Sequence, residues 1–309
     1  MTKVFIDGSA GTTGLRIYER LESRDDLTLL RLPEELRKDP AARKEMLNAA
    51  DIAFLCLPDA AAIEAVSMIE NPDTAVIDTS TAHRTADGWT YGFPEIHGLR
   101  QQIVSSKRIA NPGCHASGFV SLVAPLVEAG LLSPDEQLTA FSLTGYSGGG
   151  KKMIADYTDP EREEALRAPR IYGLTQQHKH LPEMGAVCSL SHAPVFTPIV
   201  SSYYAGREVV VPLCAAQLRG SVEDVKALYR DYYREGLVSF VEAPDEGGFL
   251  SAGAFDGRDD MEITVQGNAE RLTLISRFDN LGKGASGSAI QNMNILLGLP
   301  EGTGLNIGG

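Results

Sequence analysis

The sequence is short of positive charge. Twenty-eight Lys and Arg stand against 41 Asp and Glu, a formal net charge of −13. A field of that sign repels nucleic-acid duplexes and anionic membranes, so neither is expected as a partner. An anionic small molecule can bind only where local cations outweigh the global field. Cysteine is sparse: Cys56, Cys114, Cys188 and Cys214, with no Cys-x-x-Cys pair. Free thiols in a reducing cytoplasm are the expectation. No apolar run approaches the roughly 18 residues of a membrane span. The opening MTKVFIDG lacks the apolar core and cleavage site of a secretory leader.

What is present suits an enzyme. The 309 residues exceed the usual size of one domain, and 43% hydrophobic with 22% charged residues is ordinary globular composition. Short apolar runs alternate with helical patterns through the first third of the chain. Lys3 to Asp7, Leu27 to Leu32, Asp51 to Leu57 and Ala75 to Asp78 read as strands. Thr13 to Ser23, Ala41 to Ala49 and Asp59 to Ile69 read as helices. That alternation predicts α/β architecture, a Rossmann-type doubly wound parallel sheet. After about residue 112 the pattern changes. A helix from His115 to Ala129 precedes strand-like runs at Leu138–Leu143, Val195–Val200, Glu208–Leu213, Glu262–Val265 and Leu272–Arg277. A helix at Val222–Tyr233 lies among them, and a last helix covers Ala285–Leu297. This predicts a second α+β domain with a largely antiparallel sheet.

Four segments carry the chemistry. Gly8-Ser9-Ala10-Gly11-Thr12-Thr13-Gly14 joins the first strand to the first helix. Glycines there allow a sharp turn and bring backbone amides to a pyrophosphate at the helix N-terminus, although the same loop could be a plain tight turn. The second strand runs into Arg31 where an NAD enzyme places an acid. Arg matches a 2′-phosphate, so NADP is expected, while Glu34 and Glu35 keep NAD open. Asn111-Pro112-Gly113-Cys114 puts a cysteine at the start of an apolar helix, where the dipole and free amides favour a thiolate nucleophile. Cys56, Cys188 and Cys214 read as core thiols. In His178-Lys179-His180-Leu181-Pro182-Glu183 the two histidines share a face if the segment is extended. Either could serve as general acid and base. No acid or Cys at ligand spacing completes a metal site, so no metal is expected. His83, His97, His115 and His192 read as surface or packing residues. Two further Gly-rich loops, Thr144 to Lys152 and Asn280 to Gly287, offer amides and cations to an anion or cofactor.

In this order, GSAGTTG, NPGC, HKHLPE and DNLGKGASGSAIQNMN resemble the short form of N-acetyl-γ-glutamyl-phosphate reductase, a member of the semialdehyde dehydrogenase superfamily. The resemblance covers nearly the whole chain. It implies an NADPH-dependent reduction of N-acetylglutamyl 5-phosphate, a small acyl phosphate, through a thioester on Cys114, in arginine biosynthesis. It makes His178 and His180 the acid/base pair, with His180 taken as the base because the following Leu181-Pro182 should hold it firmly. Gly8, Ser9, Gly11, Thr12, Thr13, Gly14 and Arg31 become cofactor residues, joined by Ser147, Gly148, Asn280, Lys283 and Gly284. Asn111, Arg84, Ser147, Lys151 and Glu183 become substrate contacts, Asn111 with backbone amides as an oxyanion partner. The long form's S-A-D-F-R reads Ser80-Thr81-Ala82-His83-Arg84 here, and the aromatic after its nucleophile is His115.

The implied organisation is an NADP-binding domain over 1–112, completed by a C-terminal helix within 285–309. A catalytic and oligomerisation domain spans 113–284, with the site in the cleft between them and a dimer or tetramer as the assembly. The nearest rival is aspartate-semialdehyde dehydrogenase. A cysteine hydrolase and a non-catalytic NADP-binding redox sensor are rivals of other classes.

Overall fold

The computed structural model describes residues 1–308 and divides into two compact units, Met1–Gly113 with Ala285–Leu305, and Cys114–Gly284 with residues 306–308. In the first unit the elements run β1 (Thr2–Asp7), α1 (Thr12–Leu21), β2 (Leu27–Leu30), α2 (Pro40–Ala49), β3 (Ile52–Leu55), α3 (Asp59–Ser67), β4 (Ala75–Asp78), β5 (Thr90–Tyr91), α4 (Leu99–Ser105) and β6 (Arg108–Ala110). The sheet is wholly parallel, in the order β2-β1-β3-β4-β6-β5. Parallel strands covered on both faces should be apolar throughout, and β3 and β4 are buried at every residue. Side chains still alternate between two cores. Val4, Ile6, Phe54 and Ile77 face α1, α4 and the closing helix Gly287–Leu296, through Ile17, Leu21, Ile103, Ile290 and Met293. Phe5, Ala53, Leu55 and Val76 face α2 and α3, through Leu47, Ala62 and Ala65. The order reverses direction beside β1, so the crevice at the carboxyl ends of β1 and β3 is the natural ligand position of such a sheet.

The second unit begins with α5 (Cys114–Glu128), almost wholly buried. There follow β7 (Thr139–Thr144), α6 (Gly150–Thr158), β8 (Arg170–Ile171), α7 (Leu181–Val187), β9 (Val195–Val200), β10 (Arg207–Cys214), α8 (Val222–Tyr232), β11 (Val238–Phe240), β12 (Met261–Gly267) and β13 (Arg271–Phe278). The sheet order is β11-β12-β13-β10-β7-β9-β8, mixed rather than antiparallel throughout, because β7 pairs with β9 and β11 with β12 in parallel. Gly118 lets α5 press onto this sheet. A Cβ there would come within 2.5 Å of Val209 Cγ2 and 2.6 Å of Ser276 Oγ. Pro125 lies inside α5 and cannot donate to the Ser121 carbonyl, and the Tyr233 hydroxyl donates to that carbonyl instead, at 2.6 Å. The neighbouring Leu122 carbonyl accepts from Tyr229 of α8. The opposite face of β7, β9 and β10 is partly exposed and carries an apolar patch beside Thr139, Thr197 and Glu208. Phe141 and Leu143 of β7, Val195 and Ile199 of β9 and Val210 of β10 lie on it.

Several boundaries differ from the sequence reading for physical reasons. The final helix starts at Gly287, not Ala285, because a π-helical turn occupies Gly282–Ser286. Residues 306–308 group with the second unit, where Asn306 and Asp259 exchange backbone and side-chain hydrogen bonds at 2.7 and 2.8 Å. Cys214 is exposed rather than core. It is the last residue of β10, whose alternation sends Val209, Val211 and Leu213 inward and the intervening positions outward. Cys188 is buried as expected. Among the described residues no helix is long and apolar enough to cross a membrane.

Candidate active site

In the first unit the glycine loop is shaped by contacts only glycine permits. Gly8 has φ +87°, and a Cβ on it would fall 2.3 Å from the Cys56 carbonyl oxygen. A Cβ on Gly14, inside α1, would fall 2.5 Å from the Gly8 carbonyl oxygen. Gly11 has no comparable clash and is the N-cap of α1, its amide donating to Gly8 O at 2.9 Å. Thr12 and Thr13 form the first turn of α1. The loop borders a cavity of about 750 Å³ that Ser9, Tyr18 and Arg31 also line. Strand β2 stops at Leu30, so Arg31 lies just past its carboxyl end, its guanidinium 4.9 Å from the Tyr18 ring centroid. Three more cations line the cavity, Arg37, Lys38 and Arg43. Sequence reasoning missed them, although Arg37-Lys38 in the turn after β2 was a readable signal. Arg43 donates to the buried Asp7 carboxylate at 2.9 and 3.1 Å. Burial pushes the Asp7 carboxyl up even so, against the pull of Arg43.

At the carboxyl ends of β4 and β6 a second polar cluster forms. Asp78 is fully buried and accepts from Ser80 Oγ at 2.7 Å, with His83 Nδ1 at 2.6 Å. His83 stacks on Trp89 at 4.0 Å, so it is a paired residue and not an isolated surface one. Arg84 donates through Nε to Asn111 O and through Nη2 to Thr79 O, at 3.0 and 3.2 Å. The buried Asn111 amide donates to Ala285 O at 3.0 Å and accepts from Asn292 at 3.3 Å. Arg84 and Asn111 thus brace the turn that leads to Pro112-Gly113.

In the second unit Cys114 is the first residue of α5 and is partly exposed. Burial sets two of the other thiols apart: it pushes Cys56 up to about 12 and raises Cys188 as well, which disfavours their thiolates. Gly284 is a close-approach residue against the nucleophile. A Cβ on it would lie 3.0 Å from Cys114 Cβ and 3.1 Å from the Asp279 carbonyl oxygen. Asn280 clamps two loops, donating to Ser147 Oγ at 2.9 Å and accepting from the Gly206 amide at 3.0 Å. Gly148 lies against it, a Cβ there falling 3.3 Å from Asn280 Nδ2. Lys283 and Glu183 are buried, while Lys151 is exposed on α6.

The histidine pair is not extended. His180 has φ −90° and ψ −7° and caps α7, with Pro182 in the first turn, where a residue without an N–H is tolerated. The rings meet all the same, 4.8 Å apart and perpendicular. His180 is buried, whereas His178 lines a cavity of about 800 Å³ beside Lys179. His115, read as a packing residue, is the hub of the cluster. Its ring centroid lies 5.2 Å from that of His178 and 5.5 Å from that of His180. Its Nδ1 is 2.8 Å from Ser142 Oγ and its Nε2 is 2.5 Å from the Tyr172 hydroxyl. Sequence adjacency to Cys114 was the only signal for His115, and nothing in the sequence marked Tyr172.

Comparison with known proteins places this geometry. Residues 25–105 match the family model "Semialdehyde dehydrogenase, NAD binding domain", and residues 114–280 match "Semialdehyde dehydrogenase, dimerisation domain". The N-acetyl-gamma-glutamyl-phosphate reductase 2 of Nostoc sp. is 43% identical, over 98% of this chain and 99% of its own. The Mesorhizobium japonicum N-acetyl-gamma-glutamyl-phosphate reductase is 44% identical, over 96% and 99%. The chain belongs to the N-acetyl-γ-glutamyl-phosphate reductase family. Solved aspartate-semialdehyde dehydrogenases share the fold at much lower identity. The Vibrio cholerae enzyme II superposes with a TM-score of 0.71 at 17% identity, covering 96% of this chain and 98% of its own. The Candida albicans enzyme, solved with NADP, superposes with a TM-score of 0.68 at 16% identity, covering 97% and 99%. Membership of the reductase family sets aside the aspartate enzyme, the cysteine hydrolase and the redox sensor as family assignments.

Proposed function

We propose that this protein reduces N-acetylglutamyl 5-phosphate to N-acetylglutamate 5-semialdehyde with NADPH, releasing phosphate, as a cytoplasmic step of arginine biosynthesis. The single observation that carries the reading is Cys114 at the first turn of α5, followed by His115 with His178 and His180 packed against its ring, in a chain of this family.

The first unit suits NADPH. Gly8 and Gly14 keep side chains out of the β1–α1 turn, so the amides of the first turn of α1 remain open to a pyrophosphate. Arg31, Arg37 and Lys38 offer the adjoining cavity positive charge for a 2′-phosphate. When bound, NADPH supplies the hydride that reduces the thioester carbonyl carbon.

The chain's own residues do the rest. The Cys114 thiolate, favoured by the α5 dipole, attacks the acyl carbon and forms the C–S bond, and the C–O bond to phosphate breaks. Amides at the start of α5 stabilise the oxyanion. Lys151 and Ser147 receive the departing phosphate, and Glu183 contacts the substrate. After reduction the second tetrahedral intermediate expels the thiolate and yields the aldehyde. His180, rigid at the start of α7, moves the proton at the reacting oxygen or sulfur, and His178, open to its cavity, orients the substrate.

The open apolar patch on β7, β9 and β10 suits a second copy of this chain, so we assign it as a dimer face; a tetramer would need a further surface. Sedimentation at micromolar concentration reads the state. The activity is tested by phosphate-dependent oxidation of N-acetylglutamate 5-semialdehyde with NADP⁺, beside aspartate semialdehyde as comparator. Turnover of the first and not the second supports the assignment, and the reverse preference overturns it.

A further inference from the structure

Arg207, the first residue of β10, is 1% exposed, and among the described residues no carboxylate pairs with it. Its guanidinium donates to Ser142 Oγ at 3.3 Å and to Thr144 Oγ1 at 2.9 Å, and its Nε has no partner. A buried guanidinium can only donate, and that fixes the sense of every bond beyond it. Ser142 Oγ accepts from Arg207, so its single proton goes to His115 Nδ1. Burial first, then the Arg207 charge, holds His115 well below the ordinary histidine range, so its ring is neutral and carries one proton. With Nδ1 accepting, that proton is on Nε2 and is donated to the Tyr172 oxygen. The opposite sense would leave the fully buried Ser142 hydroxyl proton without an acceptor. The chain Arg207 → Ser142 → His115 → Tyr172 therefore ends on a phenol whose own proton has no protein acceptor among the described residues.

Tyr172 keeps that proton at working pH, because burial pushes it up to about 12 against the pull of the Arg207 charge, and the negative charge of a Cys114 thiolate adds to the effect of burial. Its ring packs 5.9 Å from His178, and His115 directly follows Cys114 in the chain. We propose that Tyr172 donates its hydroxyl as a hydrogen bond to the anion that forms at Cys114, and that Arg207, Ser142 and His115 are positioning residues that hold it in the donating sense. The anion is the thiolate of the free enzyme or the oxyanion of the tetrahedral intermediates. This rests on Cys114 being the nucleophile.

The test uses Tyr172→Phe, Ser142→Ala and the double variant in the full chain. Two readouts are taken: semialdehyde turnover, and the pH dependence of Cys114 alkylation by iodoacetamide. If the proton serves the oxyanion, Tyr172→Phe lowers turnover roughly a hundredfold and leaves the alkylation midpoint in place. If it serves the thiolate, the midpoint rises by about one pH unit and turnover falls about tenfold. In either case Ser142→Ala moves the same readout in the same direction, and the double variant is no worse than Tyr172→Phe. Wild-type values for folded Tyr172→Phe in both readouts overturn the donor role. Full additivity of the two changes overturns the positioning role. If Tyr172→Phe does not fold, Ser142→Ala alone decides, with wild-type values in both readouts overturning the proposal. A wrong substrate shows differently: the wild-type protein then fails to turn over the semialdehyde, while the alkylation readout still reports on Tyr172.

Discussion

Replacing Gly14 by Ala sets two effects against each other. Gly14 lies inside α1, and Ala there gains about 1 kcal/mol of helix propensity. The new Cβ would stand 2.5 Å from the Gly8 carbonyl oxygen and 2.9 Å from the Ser9 Cα. Both are backbone atoms and cannot rotate away. Gly8 cannot retreat either, because its own Cα already faces the Cys56 carbonyl at a position where a Cβ would be 2.3 Å away. The loop must therefore move by roughly 0.5–1 Å, at an overpacking cost of about 1–3 kcal/mol. The clash wins, and the loop leaves the position from which its amides face a pyrophosphate. The expected result is a fall in Tm of up to about 5 °C and an NADPH Kd at least about tenfold weaker by fluorescence titration. An unchanged Kd together with a raised Tm would mean that helix propensity dominates and that this loop does not hold the cofactor.

Other outcomes follow from the same structure. Arg31→Ala should weaken NADP⁺ binding about tenfold or more and leave NAD⁺ nearly unchanged; equal losses for the two cofactors in parallel titrations would contradict the 2′-phosphate assignment. His180→Asn should lower kcat roughly a hundredfold with little change in KM, whereas His178→Asn should mainly raise KM; the pH–rate profiles of the two variants show which one removes the acidic limb. Arg43→Met leaves Asp7 buried without its partner and should cost about 3–5 kcal/mol. The folded-state pKa of Asp7 is already raised, so its stability contribution is present at low pH and lost as pH rises through that pKa. The variant raises it further, and its Tm deficit should be larger at pH 8 than at pH 5; a deficit that grows on acidification would reverse the sign.

The parallel sheet was legible because β1, β3 and β4 are short apolar runs separated by helical periodicity, and burial on both faces demands that pattern. Cys114 was legible in the same way, because Pro-Gly-Cys ahead of an apolar run marks a helix start, and α5 begins there. What remained hidden was three-dimensional. Tyr172 lies 57 residues from His115 in sequence, and only the pairing of β8 with β9 brings it near. Arg207 stood just outside the expected strand Glu208–Leu213, and its burial away from carboxylates is a property of the fold. His178 and His180 would share a face only if the segment were extended, and it is not, because the chain turns at His180 into α7, with Pro182 in its first turn. Cys214 was misjudged because strand alternation was not carried to its last residue.

The covalent step is tested most directly without the cofactor. Mixing the protein with N-acetylglutamyl 5-phosphate in the absence of NADPH should release about one phosphate per active site, and intact-mass and peptide measurements should find the acyl group on Cys114. Cys114→Ala should give no burst and no adduct while still binding NADPH. A Cys114→Ala protein that reduces the acyl phosphate at anything near the wild-type rate would contradict the thioester mechanism.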